Sequence, residues 1–393
     1  MAKLLSIRPH GFSIRLVSWQ FLTFAAIGMA WPYFSLLLVD LEFSGTLIGT
    51  LASIGAVLSL VLTPLFNRVA DALMLHRRLL MIYLLGFALA LIIFASSREP
   101  IVVIVAVLLM RVTVSPSVTL GMQMTMTELL RQGKAILGQM RSFTAIGFTA
   151  SSLAAGALFA AGGYPLLFWV GAVLVLLSVL MSTVFPAKPK RKPKEDGASK
   201  APRNRGFYVL IASQFFIMMG FRNTFQFMFI HFSENLAIPT AEIGIWAALL
   251  AAAEIPFFIL MDSVLPRVRM RTLYIVGTLC LTVFTLLLGI VQTLPALALL
   301  VVFRGFSWPA MNLASYKLVA EISHPGNVAT NQAILQVTMP AVAVLLTGSL
   351  FGWTFDHLGP EIFFALCALA CAIGATIVIA GYRFFETKQA TAV

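Results

Sequence analysis

The chain has 393 residues, of which 60% are hydrophobic and only 11% are charged, and its formal net charge is +12. Soluble globular proteins contain about 45–50% apolar and about 25% charged residues, so this composition excludes a soluble protein and indicates an integral membrane protein. The surplus Lys and Arg residues fall in loops between apolar stretches. This favours contact with anionic lipid headgroups over nucleic-acid binding, and it leaves an acidic partner for the basic loop as an alternative.

Apolar stretches long enough to cross a bilayer, about 20 residues each, recur along the whole chain. The predicted spans are 16–39, 46–66, 79–96, 101–127, 138–161, 165–185, 207–231, 241–262, 272–291, 295–316, 327–352 and 361–384. Two breaks between spans are short, at 162–165 and 292–295, and both end in Pro, which favours a turn over a continued helix. We therefore predict an all-α membrane protein with twelve transmembrane helices.

The positions of Lys and Arg predict how the chain is oriented. Outside the spans they lie in the two termini and in alternate loops, and the loops on the other side hold only Arg98. Because cytoplasmic loops carry the excess of Lys and Arg, we expect both termini in the cytoplasm and a multi-pass protein of the plasma (inner) membrane. Residues 186–206 are polar and basic, so we predict a flexible cytoplasmic linker between two domains, 1–185 and 207–393.

An internal repeat relates these two halves. The fourth span carries Arg, Pro and Glu, and the tenth carries the same three residue types 193 positions later. The pairs are Arg111 with Arg304, Pro116 with Pro309, and Glu128 with Glu321. Shorter matches pair Pro64-Leu65-Phe66 with Pro256-Phe257-Phe258, and residues 156–159 with 348–351. Parallel six-helix repeats place a binding site near the bilayer midplane, between the halves.

The loop between the second and third spans reads Asn67-Arg68-Val69-Ala70-Asp71 and ends in Arg77-Arg78. Together with Arg111 in the fourth span, this loop resembles the major facilitator superfamily. That family has Gly, three residues, Asp and a later basic pair in the same loop, and it often has an Arg inside the fourth helix. The resemblance implies the major facilitator fold, with twelve helices in two six-helix, parallel-related halves.

Two further spans carry residues of a narrower pattern. In the fifth span these are Gly138, Arg141, Gly147 and Phe148, and in the eighth they are Glu254, Pro256 and Phe258. Both sets resemble the lactose-permease-like and phenylpropionate-permease-like proton symporters, and the resemblance implies proton-coupled uptake by alternating access. The chain departs from that branch at Arg304, where the branch has His, and near Met122, where it has Asp.

Four ionisable residues lie well inside predicted spans, namely Arg111, Arg222, Glu254 and Arg304. Each costs about 2.5–3.5 kcal/mol to insert at the helix centre, so each needs a partner or a water-filled cavity. Three arginines against one glutamate leave two uncompensated positive charges, which an anionic organic substrate can balance, because guanidinium groups bind carboxylates bidentately. Alternatively, Arg111 and Arg304 bond to carbonyl groups freed by the prolines of their helices.

Polar residues near these arginines complete the candidate substrate site. The predicted substrate-binding residues are Arg111, Arg222, Asn223, Gln226, Arg304, Asn312 and Tyr316. Tyr33, beside Pro32 in the first span, is an additional candidate outside this set. Trp31 and Trp308 also adjoin prolines and stack on a ring substrate or serve in packing.

Glu254 is the one acidic residue deep inside a span, and we expect it to couple transport to protons. A carboxylate in a low-dielectric interior can load and release a proton near neutral pH. The alternative is that Glu254 only neutralises an arginine and never titrates.

Charged residues at the cytoplasmic helix ends form a separate candidate group. We expect Asp71, Glu128, Arg141 and Glu321 to act in gating, as ion pairs that close in the outward-open state, or in plain structural pairing.

No pattern in the chain indicates an enzyme or a cofactor. The histidines and cysteines are not spaced as metal ligands, and no nucleophile with a base and no nucleotide-binding loop occurs. We predict a secondary active transporter of a small organic solute, with a proton-driven exporter or exchanger of drugs or metabolites as the alternative. We expect a monomer whose partners are the small-molecule substrate, protons and membrane lipids, without nucleic acid.

Overall fold

The computed structural model describes residues 11–131, 137–186, 204–264, 268–324 and 327–385. Within these ranges the chain is helical and contains no strand, as predicted. The first five helices are α1 (Gly11–Asp40), α2 (Gly45–Leu73), α3 (His76–Ser96), α4 (Pro100–Arg131) and α5 (Leu137–Met181). The others are α6 (Arg205–Glu234), α7 (Ile243–Ala252), α8 (Glu254–Val264), α9 (Met270–Leu288), α10 (Leu294–Ile322), α11 (Val328–Ala333) and α12 (Met339–Ala380).

Two of the helical segments turn sharply at glycine. In α5 the backbone leaves the helical region at Gly162 and Gly163, and Gly163 has a φ of +63°. In α12 Gly359 has a φ of +81° and is followed by Pro360. Positive φ favours glycine because it has no Cβ to clash. The turn in α5 lies in the short break predicted at 162–165.

Prolines account for two irregular places in the backbone, the break between α7 and α8 and the turn just before α12. Pro256 has no N–H to donate to the carbonyl of Ala252, and α7 ends at Ala252 while α8 begins at Glu254. Pro340 likewise cannot donate to the carbonyl of Gln336, which lies in a π-helical turn at Ile334–Thr338. Such turns recur at functional sites because they redirect side chains.

The helix boundaries confirm an all-helical, membrane-type chain but differ in detail from the twelve predicted spans. Among the described residues, nine helical stretches are long and apolar enough to cross a membrane. Two of these are Ser142–Val184 and Thr330–Ala380, which contain the glycine turns. Helix α6 is not among the nine, because it carries Arg222 and several amide side chains in its middle.

The helices pack in two groups, which we name the N-terminal bundle (α1–α5) and the C-terminal bundle (α6–α12). In the first group α5 packs on α1 and α3, and in the second α12 packs on α6 and α9. The bundles meet where α2 crosses α12 and where α5 crosses α7 and α8. We call the end of the molecule that holds the loops at 41–44, 97–99, 235–239 and 289–293 the distal face. The opposite end is the proximal face.

Glycines allow the two bundles to approach closely toward the distal face. A Cβ on Gly49 of α2 would overlap the carbonyl oxygen of Gly348 of α12, and one on Gly244 of α7 would overlap the carbonyl oxygen of Ser152 of α5. Small residues of this kind let helix backbones touch in a membrane, where dispersion contacts and weak hydrogen bonds replace the hydrophobic effect.

We expect Gly49→Ala to lower the thermal unfolding temperature of the detergent-solubilised protein. The added methyl group meets backbone atoms of Gly348, which have no room to move, and overpacking of this kind costs about 1–3 kcal/mol. Gly171→Ala is the matched control, since its Cβ meets only the end of the flexible Leu91 side chain, at 3.3 Å. Equal unfolding temperatures for the two variants would show that the crossing does not need glycine.

Candidate functional site

A cavity lies between the two bundles and has about 120 Å³ open to the centres of water molecules. Helices α1, α2 and α4 line one side, and α6, the π-helical turn and the start of α12 line the other. Its polar lining residues are Ser59, Arg111, Ser115, Arg222, Asn223, Gln226 and Gln336. A space bounded by both bundles suits a ligand whose binding is linked to their relative movement.

Arg111 enters the cavity from α4 and is held by residues of three other helices. Gly55 of α2 makes room for its stem, because a Cβ there would lie 2.7 Å from the Cβ of Arg111. The guanidinium lies 5.5 Å from the ring centres of Trp31 and Phe34, within the range of a cation–π contact. Its Nη2 donates a short hydrogen bond to Oε1 of Gln226, which belongs to the opposite bundle.

Arg222 and Asn223 are neighbours on α6 but have different surroundings. Arg222 is exposed and lines the cavity. It is close enough to Arg111 and to Tyr316 for electrostatic interactions. Asn223 is buried, and its Nδ2 donates to Oγ1 of Thr347 at 3.0 Å, which ties α6 to α12.

A row of aromatic rings runs from the cavity into the C-terminal bundle. Trp31 stacks on Phe225 with ring centres 6.0 Å apart, and Phe225 stacks on Phe221 at the same distance. Phe221 in turn stacks on Trp308 at 4.2 Å, with the planes only 9° apart. The row gives the cavity an apolar wall beside the arginines, and in this structure both tryptophans pack on phenylalanines.

Arg304 and Glu254 form an ion pair beside the aromatic row, where Cζ of Arg304 lies 5.7 Å and 5.6 Å from the ring centres of Phe221 and Phe225. Nη1 of Arg304 donates to Oε1 of Glu254 at 2.6 Å, and the side chains are only 3% and 15% exposed. The pair depends on Gly305, whose missing Cβ would lie 2.6 Å from the carbonyl carbon of Ala253. This close approach brings α10 against the break between α7 and α8, where Glu254 begins a new helix.

The described cavity lining therefore carries two positive charges and no acidic side chain. Arg304 has its counter-charge in Glu254, whereas the hydrogen bond to Arg111 comes from a neutral amide. Two buried nitrogen atoms of the lining, Nε of Arg111 and Nε2 of Gln226, have no hydrogen-bond partner among the described residues. Both atoms are enclosed by protein, so a ligand reaches them only if the Arg111 and Gln226 side chains move, whereas the exposed Arg222 is a donor available to an acceptor in the cavity.

The structure brings together part of the predicted substrate site. Arg111, Arg222, Asn223 and Gln226 line the cavity. The other three predicted ligands do not: Arg304 pairs with Glu254, while Asn312 is buried and Tyr316 half-buried in α10. The role of each residue in binding stays a prediction.

The additional candidate Tyr33 does not join the cavity. Tyr33 is fully buried, and its hydroxyl oxygen accepts a hydrogen bond from the backbone N–H of Gly244 at 3.1 Å. Trp31 faces the cavity, and side chains two residues apart on a helix point about 200° apart. Tyr33 must therefore face away from the cavity. Sequence reasoning also missed Ser115 and Gln336, which have no charge to mark them.

The predicted gating residues lie toward the proximal face. Asp71 pairs with His76 at 2.6 Å, within the N-terminal bundle. Glu128 is half-buried and has an interaction partner, and Glu321 is exposed. The side chain of Arg141 lies outside the described residues. A gating role for this group stays a prediction, and no metal-ligand cluster occurs in the described part of the chain.

We expect Arg304→Gln to lower the thermal unfolding temperature strongly, because it removes the positive charge that lies 2.6 Å from the half-buried carboxylate of Glu254. Breaking a buried ion pair on one side costs about 3–5 kcal/mol, while replacing both partners costs far less. The double variant Glu254→Gln/Arg304→Gln should therefore unfold at a higher temperature than Arg304→Gln alone. If the two single substitutions lower the unfolding temperature additively in the double variant, Arg304 and Glu254 do not stabilise each other.

Comparisons with known proteins agree on the family. The model of the MFS_1-like family matches residues 13–366, while no curated protein matches the sequence significantly. The solved nucleoside transporter NupG has a TM-score of 0.71 and 18% identity, with 96% of this chain and 100% of that chain covered. The human organic anion transporter MFSD10 has 0.67 and 15%, with 93% and 98% covered. The POT family transporter PepTSo has 0.77 and 9%, with 96% and 98% covered.

At these identities the structural likeness shows the fold, and the family match covers most of the chain. The chain belongs to the MFS_1-like family and is a membrane transporter of the major facilitator type, not an enzyme.

Proposed function

We propose that this protein is a secondary active transporter that moves a small organic anion through the cavity between its bundles by alternating access. The observation that carries the proposal is the charge of the cavity, where Arg111 and Arg222 meet no acidic residue among the described lining. Two like charges in a partly apolar space repel each other, and a bound anion relieves this repulsion.

The contacts of Arg111 support a carboxylate as the charged group of the substrate. In the structure Arg111 donates to the amide oxygen of Gln226. A carboxylate is the stronger acceptor, because it carries a full negative charge and a guanidinium can bind both of its oxygens at once. Nε of Arg111 and Nε2 of Gln226 have no hydrogen-bond partner among the described residues, and both would reach such a group once the bond between these two side chains opens. The rings of Trp31 and Phe225, which line the cavity, would contact the organic part of the substrate.

The proposed transporter has twelve crossings in two six-helix halves, 1–185 and 207–393, joined by the linker 186–206. Two of the apolar stretches, of 43 and 51 residues, are long enough to cross twice at 1.5 Å per residue, and α6 adds a crossing. The excess of Lys and Arg at the proximal face supports cytoplasmic termini and a plasma (inner) membrane location. The distal face then lies outside.

Glu254 is the proposed proton-coupling residue. It is half-buried, paired with Arg304 and placed at the break between α7 and α8, next to the aromatic row. Protonation of Glu254 would release Arg304, so the charge state of this pair can be linked to the movement of α8 against α10. Uptake follows if proton and substrate move in the same direction, and a proton-driven exporter or exchanger, in which they move in opposite directions, is the alternative.

We expect organic monocarboxylates to raise the unfolding temperature of the wild-type protein and their uncharged primary amides to leave it unchanged. A ligand stabilises the state that it binds. Removing one charge-assisted contact of 1.5–3 kcal/mol weakens binding about 10- to 100-fold, so Arg222→Gln and Arg111→Gln should need that much more ligand.

Arg98→Gln is the matched control for these two variants, because Arg98 lies at the distal face and donates to the carbonyl of Phe94. If carboxylates and amides stabilise the wild type equally, the organic-anion proposal is wrong.

We expect Glu254→Gln to abolish accumulation of substrate driven by an imposed pH gradient in proteoliposomes and to preserve counterflow. Glutamine keeps a hydrogen-bond acceptor for Arg304 but cannot carry a proton across the cycle. If Glu254→Gln accumulates substrate to the same level as the wild type, Glu254 is not the proton-coupling residue. If substrate accumulates in the proteoliposomes only when the lumen, rather than the outer buffer, is the more acidic side, the result favours export.

A further inference from the structure

The first turn of α2 is capped by a residue of the opposite bundle. Oδ1 of Asp356, on α12, accepts from the backbone N–H of Gly45 at 2.7 Å, and Oδ2 accepts from that of Thr46 at 2.8 Å. Oδ2 also accepts from the hydroxyl of Thr46 at 2.7 Å. The next free N–H, of Leu47, donates to Oγ of Ser44 at 3.2 Å. Asp356 thus takes two of the donors that a helix start leaves unsatisfied.

The equivalent helix of the other bundle has a weaker version of the same contact. Helix α7 begins at Ile243, and the backbone N–H of Gly244 in its first turn donates to the hydroxyl of Tyr33 in α1. A neutral phenol with one bond stands there instead of a carboxylate with three. Negative charge at a helix start is favoured by the helix dipole, so the contact of Asp356 is the stronger of the two.

Both caps lie at the distal ends of the close glycine contacts. Below Asp356, the α2–α12 contact continues through Gly352 against Gly45 and through Gly49 against Gly348, and it ends where Oγ of Ser53 donates to the carbonyl of Val344 at 2.9 Å. The cavity opens beyond this point, with Ala52, Gly55 and Val344 in its lining. The α2–α12 contact therefore lies between the cavity and the distal face.

Negative charges oppose this closure. Glu234, the last residue of α6, lies beyond the predicted span 207–231, and burial together with the charges of Asp40 and Asp356 raises its pKa. Asp40 belongs to the N-terminal bundle, and Glu234 and Asp356 belong to the C-terminal bundle, so like charges face each other across the interface. The bonds of Asp356 to α2 offset this repulsion.

We propose that Asp356 is the latch of the distal face, whose bonds to Gly45 and Thr46 hold the cavity closed on that side and must break for it to open there. The inference rests on the proposed alternating access. Asp356 is exposed, so water replaces its bonds when the bundles separate. A latch of this kind is modest in strength and reversible.

The test measures the distance between the bundles at the distal face. Spin labels are placed at Glu99→Cys and Gln292→Cys, which are exposed positions of distal loops in different bundles, after the three native cysteines are replaced by alanine. Distance distributions are recorded by double electron–electron resonance in lipid nanodiscs for the wild type and for Asp356→Asn. Asparagine keeps the size of the side chain and removes its charge.

We expect Asp356→Asn to raise the ratio of the long-distance to the short-distance population about 3- to 10-fold, because it removes the charge and replaces Oδ2, which accepts from the N–H and hydroxyl of Thr46, by an amide nitrogen that accepts no bond. Thr46→Val, which removes one bond from the α2 side, should shift the ratio in the same direction by less, as should Tyr33→Phe. Glu361→Gln, which changes an exposed carboxylate on the other arm of α12, should leave the ratio at its wild-type value.

Unchanged distributions in both Asp356→Asn and Thr46→Val overturn the latch, whatever the transport assays show. A shift of equal size in Glu361→Gln overturns it as well, because the effect would then come from net surface charge. A widened distal face in Asp356→Asn together with a wild type that binds no organic anion leaves the latch standing and refutes the proposed substrate.

Discussion

The chain is organised by the cost of placing arginine guanidinium groups at the depth of a membrane. A charge there must face water or be paired, and the three arginines inside the helices meet this condition in three ways. Arg222 faces the open cavity, Arg111 bonds to an amide and lies against two aromatic rings, and Arg304 pairs with Glu254. The cavity, the aromatic row and the break between α7 and α8 all border these arrangements.

Glycine and proline make those arrangements geometrically possible. Gly55 leaves space for the stem of Arg111, and Gly305 lets α10 approach Ala253 so that Arg304 reaches Glu254. Pro256 removes one backbone hydrogen bond at the place where α8 starts. The two glycines act by the close approach that they permit and Pro256 by the hydrogen bond that it cannot donate, so the position of a charged group is set mainly by residues that carry no charge.

The sequence predicted the helices and the charges that need partners, because both follow from local properties. Apolar length and Gly-Pro turns depend on neighbouring residues, and depth within a span shows that Arg304 and Glu254 cannot stand alone. The choice of partner is not local, since Arg304 lies 50 residues from Glu254 and Arg111 lies 115 from Gln226. The helical periodicity of α1 is also a local property. Because Trp31 faces the cavity, this periodicity places Tyr33, two residues later, on the other side of the helix.

The two equivalent arginines of the internal repeat have different partners. Arg111 and Arg304 occupy equivalent positions in the two halves, and both lie within reach of aromatic rings of α1 or α6. Among the described residues Arg304 pairs with a carboxylate, whereas Arg111 bonds to the neutral oxygen of Gln226. In the proposed function, the carboxylate of the substrate forms an ion pair with Arg111, as Glu254 does with Arg304. In that proposal the counter-charge of Arg304 belongs to the protein, while Arg111 acquires its counter-charge only while substrate is bound.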